Sequence, residues 1–189
     1  MISLVVFVSV VPLVVLLAAA RLEPAGRGRA VEAAARGLAG RLRQMSAKAV
    51  ASGRAGAVVF PAGEQDEPLS EAWDADGDGV SRADCERGQD DLGVLFTLGR
   101  DQPGTSISRP AWEDIADVPP SSGRLSIEDP AVRFGRSRMV VFDPEGHATP
   151  GSLFVSDRRT RLCAVVVHGA TARVRTWCYE RGEDRWRLL

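Results

Sequence analysis

The first twenty residues, MISLVVFVSVVPLVVLLAAA, carry no charge and are interrupted only by Ser3, Ser9 and Pro12. At about 1.5 Å per helical residue, such a run matches the roughly 30 Å apolar layer of a bilayer. A cleaved signal peptide is the alternative, with Ala18 and Ala20 small enough for cleavage, but no basic residue precedes the apolar run, which favours a retained anchor. The pattern then changes period. Val31, Ala35, Leu38, Leu42, Met45 and Ala49 follow one another at steps of four and three, which predicts one apolar stripe on a helix with arginines on the other faces. Pro24 lies between anchor and stripe, and Gly53 and Gly56 are natural stops. Further on the period becomes two. AGAVVFPAG predicts a strand near residues 56–60, SRMVVFDPEGHATPGSLFVSD predicts strands at 138–142 and 152–156 around the turn 143–146, and RLCAVVVHGATARVRTWCYE predicts a hairpin. Residues 61–130, rich in Gly, Pro, Asp and Ser, hold few periodic apolar runs beyond LGVLFTLG and SRPAWEDIADV and read as loops around one or two short elements. The expected organisation is α+β: a membrane-spanning part at 1–24, an amphipathic helix at 25–55, and a β-rich antiparallel head at 56–189 with an acidic loop at 61–92, the helix packed on the head.

The register of the hairpin follows from arithmetic. With the turn centred between Ala170 and Thr171, Cys163 and Cys178 stand directly opposite, within disulfide reach for a non-hydrogen-bonded pair. A disulfide there implies an oxidising, extracytoplasmic location for the head, and leaves Cys85 without a partner. The basic flank after the apolar run points the other way, since positive residues hold their side of a membrane helix in the cytoplasm. A basic leader upstream of Met1 would remove the conflict.

Charge adds a polarity along the chain. The net charge is −1 and the pI about 6.2, which excludes a globally basic nucleic-acid binder. Residues 21–54 hold basic side chains almost alone, whereas residues 64–91 are strongly acidic. Within the acidic stretch, Asp74, Asp76 and Asp78 alternate and Gly79 follows, as in the first half of an EF-hand loop. The twelfth position, which should supply a bidentate Glu, is Cys85; Asp84 and Glu86 flank it. Pro68 before the segment and the absence of a helical pattern around it argue against a true EF-hand. Calcium held by Asp74, Asp76, Asp78, Asp84 and Glu86 and a plain acidic turn stand as equal readings. His147 and His168 belong to no catalytic constellation, and no nucleophile elbow, phosphate loop or zinc motif is present, so an enzyme is not expected and no cofactor other than calcium is implied.

The apolar amino terminus, the proline near its exit, the amphipathic extension and the β-rich head together resemble a type IV pilin-like protein. The turn from Phe142 to Gly146 and the strand carrying Arg173 and Arg175 are similar to those of the GspH/FimT group of pseudopilins, whose motif has a glycine where Ala172 stands here. The sequence as it starts at Met1 shows no leader with its glycine, as expected of a mature form or of a start read too late, and with Met1 as the mature terminus Val5 occupies the place of the family's early glutamate. The resemblance implies a non-enzymatic minor pseudopilin of the bacterial inner membrane. It would span the membrane once, hold its head in the periplasm, and help assemble or cap a type II secretion or type IV pilus filament with other pilin-like subunits. The helical stripe would then pack against neighbouring helices. Two other readings follow: a FimT-like DNA-uptake subunit, with Arg173, Arg175 and Trp177 on one strand face, and a membrane-anchored calcium-binding domain with no filament.

Overall fold

The computed structural model describes residues 28–61 and 68–189. Helix α1 occupies 28–52, and Gly53 ends it with a φ of 67°, the left-handed conformation that glycine adopts without steric cost. The six stripe positions Val31, Ala35, Leu38, Leu42, Met45 and Ala49 are each at most 2% exposed, with Ala34 and Ala39 beside them. Period alone therefore identified the buried face. What covers that face is the protein's own head, so the stripe is not left for neighbouring helices, as the filament analogy had placed it. The expected membrane-spanning part, 1–24, lies outside the described residues, among which no helix is long and apolar enough to cross a membrane.

Two antiparallel sheets follow. The first has the order β3-β2-β1-β8, built from β1 (Gly56–Val59), β2 (Leu69–Trp73), β3 (Asp91–Phe96) and β8 (Met139–Phe142). The second has the order β12-β11-β10-β9-β4, from β4 (Ser106–Ile107), β9 (Gly151–Ser156), β10 (Leu162–His168), β11 (Arg173–Glu180) and β12 (Arg185–Leu188); β7 (Val132–Arg133) also pairs with β9. The short pair β5 (Ile115–Ala116) and β6 (Arg124–Leu125) covers the outer face of the second sheet. Helix α1 lies across both inner faces: one apolar cluster joins its stripe to Val58, Phe60, Val140 and Phe142 of the first sheet side and to Leu153, Val155, Val165, Val167 and Val174 of the second. The glycine at 56 is required here. A Cβ on it would come within 2.9 Å of the Met45 sulfur and within 2.8 Å of the Trp73 ring, so helix and sheet approach only because that carbon is missing.

Hairpin β10–β11 has the register expected from the sequence, with Cys163 opposite Cys178, and the two form a disulfide with Cα atoms 4.0 Å apart. The acidic stretch 61–92 differs from expectation. It contains β2, helix α2 (Arg82–Arg87) and the start of β3. Of these, β3 overlaps the apolar run 92–99 that stands out in the sequence, although it is an edge strand whose Leu92 and Val94 face solvent, whereas α2 spans less than two turns. Helix α2 carries no apolar period of its own. Helix α2 is instead defined by its ends: Ser81 caps it by accepting from the Asp84 N–H, and Gly88 closes it at a φ of 72°.

Candidate functional site

Asp74, Asp76 and Asp78 follow β2 directly, and the loop is shaped by its own side chains. Asp74 Oδ1 accepts from the Gly77 N–H at 2.8 Å, while Gly77 and Gly79 take φ values of 90° and 98°. The Arg54 guanidinium holds the Asp74 carbonyl, with Nε at 2.8 Å, and thereby fixes the start of the loop to the end of α1. One oxygen from each of the three carboxylates lies within 4.8 Å of the others. Oxygens sharing one calcium at 2.3–2.6 Å stand at most about 5 Å apart, so the donor set fits a hard divalent cation. The crowding shows in protonation: a hydrogen bond with Asp76, and then that neighbour's negative charge, raise the Asp78 pKa.

The other two acids proposed for the loop do not join this group. Asp84 is buried at the start of α2, accepts from the Ser81 hydroxyl, and pairs with Arg87; those two contacts, in that order, hold its carboxyl below the usual range. Glu86 is exposed on α2. Cys85 is half-buried with its sulfur 3.9 Å from Asp90 Oδ2, and burial followed by the Asp90 charge pushes its thiol pKa up, which disfavours the thiolate a metal would need.

Asp143 and Glu145 do share the cleft of about 590 Å³ that contains the Asp74–Gly79 loop. Strand register brings this about. Gly56 pairs with Trp73 on one side and Phe142 on the other, so the segments after β2 and β8 leave the first sheet from the same row. Register, which joins residues far apart in the chain, makes neighbours of two acidic turns. His147 belongs to this turn as well: its Nδ1 lies 3.1 Å from Asp143 Oδ2.

On the hairpin, Arg173, Arg175 and Trp177 alternate on the outer face of β11, as their spacing requires. Their exposure differs. Arg173 is exposed, Arg175 is half-buried, and the Trp177 ring packs against the outer aromatic cluster with its Nε1 sealed from solvent. Trp177 is therefore a packing residue and not a free stacking platform. Arg173 and Arg175 form no ion pair with a carboxylate of the described residues.

Comparison with family models, with curated proteins and with solved structures finds no match to this chain.

Proposed function

We propose that the chain is a pilin-like structural subunit, a minor pseudopilin that takes part in assembling or capping a type II secretion or type IV pilus filament. The observation that carries the reading is the arrangement of α1. A helix preceded in the sequence by twenty uncharged residues lays its whole apolar stripe across both sheets of an antiparallel head. Its other face, with Ala33, Arg36, Gly37, Gly40 and Gln44, is exposed and available to neighbouring subunits. The disulfide supports a head held in an oxidising compartment, the periplasmic side of a bacterial inner membrane. The test is a photo-crosslinking residue at Gly40 in the full chain, produced in its own cells, with the adducts identified by mass spectrometry. Adducts with chains that also combine an apolar amino terminus and an amphipathic helix are expected. A membrane-inserted protein that gives no such adduct removes the reading.

The carboxylate triad supports a calcium-binding loop within that subunit, which would rigidify the connection between β2 and α2 and tie it to the 143–146 turn. Calorimetric titration of the full chain with calcium is expected to show one site, weakened about tenfold or more by Asp76→Asn because ligand charge sets affinity in such loops. No heat of binding would leave the segment as an acidic turn. DNA capture stands behind both: it retains Arg173 and Arg175 for phosphates but has lost Trp177 for base stacking. Salt-sensitive DNA binding that disappears in the Arg173→Ala, Arg175→Ala double variant would promote it.

A further inference from the structure

Strand β11 is longer than the strand beside it. β12 pairs only with Trp177–Glu180, so on the side away from β10 the stretch Arg173–Thr176 has no strand neighbour among the described residues. Its peptide groups point outward at two places. The Val174 carbonyl accepts from Arg43 Nη2 at 2.9 Å, and the Thr176 carbonyl accepts from the Leu189 N–H at 2.9 Å. In an antiparallel ladder a residue turns its N–H and C=O to the same side, so Val174 presents a donor beside the acceptor that Arg43 now occupies.

This edge forms one wall of a groove of about 760 Å³ whose other wall is the last part of α1. Val50 of α1 and Leu188 are among the lining residues and are 52% and 51% exposed, two apolar side chains left open to water. Three arginines, Arg43, Arg173 and Arg175, line the same groove, and none forms an ion pair with a carboxylate of the described residues. The Arg175 Nε is also without a hydrogen-bond partner. A sheet edge that no strand covers, with the Val174 carbonyl held only by a side chain, can take an added strand over the groove, and the arginines select which strand. A second copy pairing edge to edge would set arginines against arginines, which like-charge repulsion disfavours.

We propose that the Arg173–Thr176 edge is a docking site for an extended segment of another protein in which apolar and acidic residues alternate. Strand geometry assigns the two sets. Side chains on the α1 side of the added strand fall against Ala47 and Val50, while those on the opposite face stand beside Arg173 and Arg175. Main-chain bonds at Val174 replace the Arg43 contact and free that guanidinium for an acidic residue at the rim. This site does not depend on the filament reading, because its occupant is defined by the edge and its charges.

The test is fluorescence anisotropy of a labelled heptapeptide alternating valine and glutamate, titrated with the full chain in detergent. Saturable binding is expected. It should weaken on the order of tenfold when alternate peptide nitrogens are methylated, which removes main-chain donors and leaves the side chains and the protein unaltered. A similar loss is expected when lysine replaces glutamate, and in the variant Val50→Glu, whose exposed position spares the fold. Absence of saturable binding, or equal binding of the methylated peptide, overturns the proposal. So does binding of a short DNA duplex in place of the peptide, which would assign the arginines to phosphates.

Discussion

Both faces of the second sheet carry an apolar layer, yet the two layers are built by different means. The inner face, against α1, is aliphatic: Leu153, Val155, Val165, Val167 and Val174, with the disulfide of Cys163 and Cys178 set among them. The outer face, under β5 and β6, is aromatic and has polar handles. Phe154 and Tyr179 meet Trp186 at ring separations of 6.1 and 5.3 Å, and Tyr179 meets Trp112 at 6.2 Å. The Trp186 Nε1 donates to the Ala116 carbonyl at 2.8 Å, and the Tyr179 hydroxyl donates to Asp184, which also receives Arg124 at 3.1 Å. Burial of aliphatic surface is non-directional, so the inner face needs only the right period and size. The outer face depends on particular hydrogen bonds from particular loops, because aromatic side chains with N–H or O–H groups need partners when buried.

The largest effects should come from the inner face. Leu42 is fully buried in the cluster that joins α1 to both sheets. Leu42→Ala is expected to lower stability by about 2–5 kcal/mol, read from the urea midpoint, and a cost below about 1 kcal/mol would mean that the helix does not depend on this face. Next comes the disulfide. Its cysteines are 15 residues apart, and closing a loop of that length is worth about 3 kcal/mol through the unfolded chain. Reduction should therefore lower the unfolding free energy, read from the urea transition, by a similar amount, and an unchanged transition would assign the pairing no weight in stability.

The same contrast explains what the sequence disclosed. The stripe of α1 and the pairing of Cys163 with Cys178 were readable because each depends on one local period and on burial on one side. The outer layer was not. Trp112, Ile115 and Val118 fall in the apolar run 108–118, whose spacing marks a short element but not its place, which is set by contacts such as that of Arg124 with Asp184, sixty residues on. The cation loop divides in the same way. Asp74, Asp76 and Asp78 are neighbours by spacing alone, whereas Asp143 and Glu145 reach their cleft only through the register of Gly56 with Trp73 and Phe142. Asp84 looked like a ligand by its position but became part of a helix cap, a role set by a helix too short to announce itself. Trp177 alternates with the arginines as a surface residue would, and its ring is nevertheless taken up by the outer cluster.

The smallest of the expected effects probes the outer face through its one titrating handle. Tyr179 is the single tyrosine of the chain, so its ionisation can be followed by ultraviolet absorbance without interference. Burial, then the hydrogen bond and charge of Asp184, push its pKa up to about 12. An unfolded tyrosine titrates near 10. The folded state thus favours the protonated phenol, and the contribution is complete below about pH 10 and is lost as pH rises toward about 12. Tyr179→Phe should cost roughly 1–2 kcal/mol at neutral pH, since the lost bond goes to a charged acceptor that Arg124 still satisfies. The difference between wild type and variant should then shrink above pH 10. Should the folded protein titrate near 10 instead, the phenol would not be held by Asp184, and the outer face would rest on aromatic packing and the Trp186 bond to Ala116.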